Sequence, residues 1–147
     1  MELFASKLQA PVREKTLARR RLTRVFDHPE NWRLVTVIAG AGYGKTTLIA
    51  DALAGSEKPV IWYRLDPRDR DPDVFCAYLT RGVITAYPGL ESDQAFRGEV
   101  QALASGKPLE TAGGKFRSPD RYIRRLAAVL STVAVGPACL VLDDHSK

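Results

Sequence analysis

Cysteine, histidine and methionine are scarce in this chain of 147 residues, which has two cysteines, two histidines and one methionine. With no cluster of cysteine and histidine, the sequence excludes a zinc motif or a disulfide-stapled fold. Cys76 and Cys139 both lie in apolar stretches, and we expect each to be a small buried residue. No apolar run approaches membrane-spanning length and the N-terminus lacks a secretory pattern, so we expect a cytoplasmic protein with no membrane partner.

Positive charge is concentrated at the start of the chain. The net charge is +5, and residues 1–33 hold eight lysines and arginines against four acids. We therefore separate a basic N-terminal segment, 1–33, from a main domain, 34–147. Within the segment, the spacing of Ala18, Leu22, Val25 and Phe26 predicts an amphipathic helix over 14–26. The arginines on helix 13–24 indicate either a solvated face or a nucleic-acid contact.

A glycine-rich segment, residues 39–47, directly follows the apolar run 34–38. It reads Ala-Gly-Ala-Gly-Tyr-Gly-Lys-Thr-Thr. Glycines let backbone N–H groups turn toward phosphate oxygens, and a helix that starts at Lys45 would point its N-terminus at them. We predict a Walker A loop in which the lysine reaches the β- and γ-phosphates and the Thr46 hydroxyl joins a Mg²⁺ site. The predicted phosphate-binding residues are Ala41, Gly42, Tyr43, Gly44, Lys45, Thr46 and Thr47.

Hydrophobic runs and periodic segments alternate along the main domain. The pattern predicts strands at 34–38, 60–65 and 138–142, and helices at 45–53, 72–86 and from Ser118-Pro119-Asp120 onward. The apolar face of the last helix is Tyr122, Ile123, Leu126, Val129, Leu130 and Val133. Residues 91–117 are polar and rich in glycine, and no long regular element is expected there. This order indicates an α/β fold with a parallel sheet and flanking helices.

Two carboxylates, Asp143 and Asp144, follow the third predicted strand. Because ligands of open α/β sheets bind at the carboxyl ends of strands, we expect this pair on the same edge as the glycine-rich loop. Asp143 is predicted to bind Mg²⁺ directly or through water, and Asp144 to orient or deprotonate an attacking water. The predicted catalytic residues are thus Lys45 and Asp144. The alternative is that the pair only caps the strand and opens a turn.

Four blocks of the sequence resemble the STAND-class signalling NTPases, in particular the MalT-like, large LuxR-type ATP-dependent transcriptional regulators. The blocks are Ser6-Lys7-Leu8 with Leu17–Leu22, the loop 39–47, Trp62–Leu79, and Leu140–Asp144. Two departures are visible. Gly40 stands where the family usually has proline, and His145-Ser146 replaces the usual Tyr-His after the acids, so His145 is assigned no role.

The resemblance implies a P-loop NTPase domain of ASCE/STAND type that binds ATP and Mg²⁺ as a switch in a bacterial transcription regulator. In the family, the ATP-bound protein self-associates, hydrolysis resets it, and DNA is bound by downstream regions that this chain does not contain. It also implies a further strand, later in sequence, between the loop strand and the Walker B strand, 139–144. Because Lys147 comes three residues after Asp144, we expect an N-terminal fragment truncated after Walker B. ATPase activity is expected only in the complete domain.

Two other functions are compatible with the sequence. One is a stand-alone P-loop enzyme, such as a small-molecule kinase; the Asn/Thr-Lys-x-Asp pattern of GTPases is absent from the chain. The other is a nucleic-acid-binding fragment that acts through the basic helix 13–24.

Overall fold

The three-dimensional structure is a computed structural model that describes residues 4–12, 19–28, 34–94, 96–97, 110–111, 114–115, 119–132 and 136–144. The chain divides into two compact units. The sheet unit consists of Met1–Gln9 with Lys58–Ser146, and the loop unit consists of Ala10–Glu57 with Lys147. No described helix is both long enough and apolar enough to cross a membrane.

The described chain contains both helices and strands, with one parallel strand pair, and is α/β. The helices are α1 (Arg20–Thr23), α2 (Lys45–Leu53), α3 (Pro72–Ala86) and α4 (Pro119–Thr132). The strands are β1 (Val60–Leu65), β2 (Glu110–Thr111), β3 (Gly114–Lys115) and β4 (Cys139–Asp144). Short 3-10 turns occur at Ala5–Leu8, Arg24–Phe26, Pro67–Arg70 and Pro88–Ser92. The predictions of α2, β1 and α3 are confirmed to the residue.

The sheet unit contains a parallel pair of strands, as the sequence predicts. β1 pairs with β4 in a register that places Val60 beside Cys139 and Leu65 beside Asp144. β4 runs two residues past the predicted end at 142 and so includes both acids. β1 is rich in the β-branched and aromatic residues that suit a buried strand. The two-residue strands β2 and β3 form a separate antiparallel pair.

α3 begins at a well-formed cap and carries much of the core. The Asp71 carboxylate accepts a hydrogen bond from the Asp73 N–H at 2.9 Å, and Pro72 occupies the first turn, where its missing N–H is not needed. Apolar residues of α3 pack with β1 and α4 in one buried cluster. Its members are Ile61, Cys76, Leu79, Val83, Ile84, Leu90, Phe96 and Leu126.

The two cysteines and the last helix match their predictions only in part. Cys76 is buried, and burial raises the pKa of its thiol to about 12. Cys139 is half-buried, and burial raises its pKa as well. In α4, Leu126 is buried but Ile123 is 42% exposed, because the predicted apolar face is wider than the line of contact with α3. Phe96 joins the core from a segment whose polar sequence gave no sign of it.

The N-terminal turn, Ala5–Leu8, is attached to the sheet unit through Lys7. The Lys7 side chain is 9% exposed, and its Nζ donates to both carboxylate oxygens of Asp69 at 2.7 Å. A carboxylate oxygen of Asp66 lies 3.2 Å from the same Nζ. The ring centroids of Tyr78 and Tyr63 lie 4.4 and 5.4 Å from it. Two carboxylates and two aromatic rings therefore replace the water that this buried ammonium has lost.

Asp69 is the acceptor that joins this group to the end of β1. Its Oδ1 accepts from the Tyr63 hydroxyl at 2.7 Å, and its Oδ2 accepts from the Asp66 N–H at 2.6 Å. Burial, together with this hydrogen bond, raises the pKa of Tyr63, so the phenol stays protonated and donates. The Arg68 guanidinium donates to Asp66 and holds the pKa of that carboxyl below its usual range.

In the loop unit, the prediction of a helix over 14–26 is confirmed only in part, over residues 20–26. The described helix α1 begins at Arg20, because Arg19 has φ −94° and ψ 59°, outside the helical region. It ends at Thr23 and continues as the 3-10 turn Arg24–Phe26. Leu22 and Val25, expected on a buried face, are 39% and 57% exposed. Residues 13–18 lie outside the described residues.

The prediction of a strand at 34–38 is wrong. The segment pairs with no strand among the described residues. Leu34 and Ile38 are 83% and 89% exposed, while Val35 and Val37 are half-buried. The side chains thus alternate as in a strand, but a strand also needs a neighbour for its backbone N–H and C=O groups. An apolar run is therefore not sufficient to form a strand here.

We expect Lys7→Met to lower the free energy of unfolding by about 3 kcal/mol or more, because a buried carboxylate loses its cation. Urea unfolding followed by circular dichroism measures this loss. Arg70→Met is the matched control, since Arg70 is exposed in the neighbouring turn. A loss in Lys7→Met no larger than in the control contradicts the buried ion pair.

We expect Gly82→Ala to destabilise the protein by about 1–3 kcal/mol through overpacking, although alanine favours helices by about 1 kcal/mol. A Cβ at this position in α3 would lie 2.7 Å from Ile61 Cγ2 and 3.5 Å from Leu8 Cδ2. Thermal unfolding compares it with Gly89→Ala, where an added Cβ meets no atom within 4 Å. Equal stability of the two variants would show that α3 does not approach β1 so closely.

Candidate functional site

The glycine-rich loop, residues 39–47, follows a backbone path that its glycines permit. Gly42 and Gly44 have φ values of 79° and 78°, a region that residues with a Cβ rarely adopt. The Tyr43 N–H donates to the Gly40 carbonyl over an N···O distance of 3.5 Å and closes a turn. The Tyr43 ring packs against Gly40, where an added Cβ would lie 3.2 Å from two ring carbons. The loop is a tight turn that leads into a helix.

α2 begins directly after this turn. Its N-cap is Gly44, which has no side chain to bond the first N–H groups of the helix. The N–H groups of a first turn have no partner within their own helix, and the helix dipole places positive charge beside them. Thr46 and Thr47 lie in this first turn, the former half-buried and the latter exposed. The N-terminus of α2 therefore presents the donors that an anion requires.

Lys45 is the first residue of α2 and folds back over the loop. Its Nζ donates to the carbonyl oxygens of Ala39 and Gly40 at 2.7 and 2.9 Å. The ammonium thus lies beside the first residues of the loop. Its flexible four-carbon stem allows it to change acceptors without a change in the backbone.

A second cation reaches the loop from the residue before α1. Arg19 is exposed, and its Nη1 donates to the carbonyl oxygen of Tyr43 at 3.4 Å. α1 packs against α2, so the helix that follows Arg19 is supported by the helix that follows the loop.

Asp143 and Asp144 are the last two residues of β4. Successive side chains of a strand point to opposite faces, and here Asp143 is buried while Asp144 is exposed. The parallel register places Asp143 beside Arg64 and Asp144 beside Leu65. The two carboxylates therefore occupy different environments at the carboxyl end of the sheet.

The predicted site residues are divided between the two units. The loop residues 39–47 belong to the loop unit, and the two acids belong to the sheet unit. The predicted Mg²⁺ site, which takes Thr46 from one unit and Asp143 from the other, stays a prediction. The catalytic roles of Lys45 and Asp144 also stay predictions. His145 lies outside the described residues.

The contacts of two basic residues, Lys7 and Arg19, were not predicted from the sequence. Lys7 entered only as one of the basic residues of segment 1–33, and its single signal was its place in the Ser6-Lys7-Leu8 block. Arg19 was one of several arginines in a predicted helix. No pattern of spacing separates an arginine that reaches the loop from one that faces solvent.

Part of this sequence is similar to known transcriptional regulators. The chain is 42% identical over 88 residues to the HTH-type transcriptional regulator MalT of Cronobacter sakazakii (strain ATCC BAA-894), and 42% identical over 88 residues to that of Serratia proteamaculans (strain 568). Each match covers 59% of this chain but spans only 10% of the relative's length. No protein-family model matches the chain, and no solved structure matches it significantly. The matches support a MalT-like relationship.

We expect Gly44→Ala to strain the loop by about 1–2 kcal/mol, because an alanine must then adopt the left-handed conformation. The strain should appear as faster hydrogen exchange of the α2 amides. Gly55→Ala, just beyond the end of α2, is the control, since an added Cβ meets nothing within 4 Å there. Equal exchange rates in both variants would contradict the left-handed geometry of Gly44.

Proposed function

We propose that this chain is an ATP-binding switch module of a cytoplasmic, MalT-like transcriptional regulator of the LuxR type. The observation that carries the proposal is the loop geometry. Two glycines in the left-handed region lead into the N-terminus of α2, which has no side-chain cap. Lys45 folds back over the glycine-rich loop. The similarity to two proteins named MalT supports the regulatory part of the proposal.

Nucleotide binding would use groups that the loop already presents. The N–H groups at the start of α2 donate to the phosphates, and the dipole of α2 favours their negative charge. Lys45 exchanges its bonds with the Ala39 and Gly40 carbonyls for bonds with the β- and γ-phosphates. The fold that we propose for this arrangement is the P-loop NTPase fold of the STAND class.

Thr46 and Asp143 are the residues that we propose hold Mg²⁺. A hydroxyl and a carboxylate fit this ion, which prefers oxygen ligands and few protein contacts. When bound, Mg²⁺ neutralises charge on the β- and γ-phosphates. Asp144 is exposed and next to the proposed ligand, as a residue that positions an attacking water would be.

Hydrolysis, DNA binding and ATP-dependent self-association are proposals for the whole regulator. The relatives are about ten times longer than the segment that matches this chain. In such a regulator this chain supplies the nucleotide switch, and other regions bind DNA. The chain by itself would then be an N-terminal part of the nucleotide-binding domain.

We expect Lys45→Ala to weaken Mg-ATP binding at least tenfold, because a charge-assisted contact to two phosphates is lost. Titration of the 147-residue chain with a fluorescent ATP analogue measures this effect. Arg21→Ala serves as a control, since it removes an exposed positive charge from α1 in the same unit. Unaltered ATP affinity in Lys45→Ala would show that the loop does not bind nucleotide phosphates.

A further inference from the structure

The hydrogen bond between Arg19 and Tyr43 has a consequence for the neighbouring glycine. The Tyr43 carbonyl and the Gly44 N–H belong to one peptide group, which is planar and trans. In such a group the C=O and the N–H point in opposite directions. When Arg19 binds the carbonyl at 3.4 Å, it turns the N–H of Gly44 to the side of the loop away from the guanidinium.

This peptide is the one that most needs a fixed orientation. Gly42 and Gly44, on either side of Tyr43, are both left-handed, and glycine has access to several other conformations. The Tyr43–Gly44 peptide turns about ψ of Tyr43 and φ of Gly44, and glycine permits a wide range of φ, so the peptide can rotate unless one of its ends is bonded. The Arg19 guanidinium supplies a bond at the carbonyl end, from a residue anchored beside α1.

We propose that Arg19 is a positioning residue of the phosphate-binding loop, which fixes the Tyr43–Gly44 peptide so that the Gly44 N–H faces the bound β-phosphate. The inference rests on the proposed nucleotide function and deepens it. It assigns the two cations of the loop different tasks. Lys45 contacts phosphate, whereas Arg19 acts through the backbone.

The main alternative is that Arg19 acts only through its positive charge. Attraction between exposed charges is screened by salt, and at about 0.5 M salt little of it remains over 10 Å. A hydrogen bond that orients a peptide is retained under those conditions. The number of phosphates in the ligand also separates the two explanations. AMP has no β-phosphate, so a peptide that faces the β-phosphate affects the binding of ATP and ADP but not that of AMP.

The experiment measures ATP, ADP and AMP binding to the 147-residue chain at about 0.1 and 0.5 M NaCl. We expect Arg19→Ala to weaken ATP and ADP binding about fivefold or more at both salt concentrations, and AMP binding by less than about twofold. Arg21→Ala, which removes the same charge two positions away, should change all three affinities by less than about twofold at the higher salt. Arg19→Lys, which retains a donor of similar reach, should recover most of the loss.

The backbone amide resonance of Gly44, measured by NMR spectroscopy in the nucleotide-free chain, gives an independent readout. We expect this resonance to shift or broaden in Arg19→Ala and to stay in place in Arg21→Ala. Circular dichroism checks that α1 and α2 are intact. If Arg19→Ala unfolds, Arg19→Gln replaces it, because that change removes the charge and shortens the reach but retains a polar surface.

The possible outcomes separate the two proposals. If Lys45→Ala binds ATP like the unchanged chain, the proposed nucleotide function is wrong. If Lys45→Ala loses binding but Arg19→Ala and Arg21→Ala behave alike, only the positioning role is wrong. If the Arg19→Ala effect vanishes at the higher salt, the residue acts through its charge, and the positioning role is again overturned.

Discussion

The ammonium of Lys7 has lost nearly all of its water, and the groups that replace it come from different parts of the sheet unit. Asp69 belongs to the turn after β1, Tyr63 to β1 itself and Tyr78 to α3. Each of these groups must hold its position, because a buried charge without acceptors costs several kcal/mol. One cation thereby fixes the N-terminal turn, the end of β1 and the middle of α3 relative to one another.

The glycine-rich loop has the opposite physical character. Its conformation depends on backbone freedom at Gly42 and Gly44, together with the packing of the Tyr43 ring against Gly40. Cations limit that freedom at carbonyl oxygens, with Lys45 at Ala39 and Gly40 and Arg19 at Tyr43. Each of these three carbonyl oxygens is thus bonded to a cation. Two cationic side chains therefore hold a glycine-rich sequence in one defined turn.

Local chemistry made part of this structure predictable. The start of α3 follows from the Asp71 cap and Pro72, and the start of α2 at Lys45 follows from the glycine before it. β1 follows from its run of β-branched and aromatic residues. The prediction of a strand at 34–38 was wrong, because a strand depends on a neighbouring strand that local sequence does not supply. The ion pair of Lys7 with Asp69 was not predicted, because it joins residues 62 positions apart in sequence. In the candidate site, the turn and the helix after it were predicted from nine consecutive residues. The contact of Arg19 with Tyr43 was not, because it depends on Arg19 lying just before the start of α1.

The sheet unit is assembled from two separate stretches of chain, with residues Ala10–Glu57 of the loop unit between them in sequence. During synthesis, the first nine residues emerge long before their partners. At about 5–20 residues per second, the ribosome needs roughly 3–12 s to extend the chain from Lys7 to Asp69. Through that interval Lys7 remains a hydrated charge, and the closure of this long loop is an entropic barrier to be crossed late in folding. The N-terminal turn is therefore the first part of the sheet unit to be made and among the last to be placed.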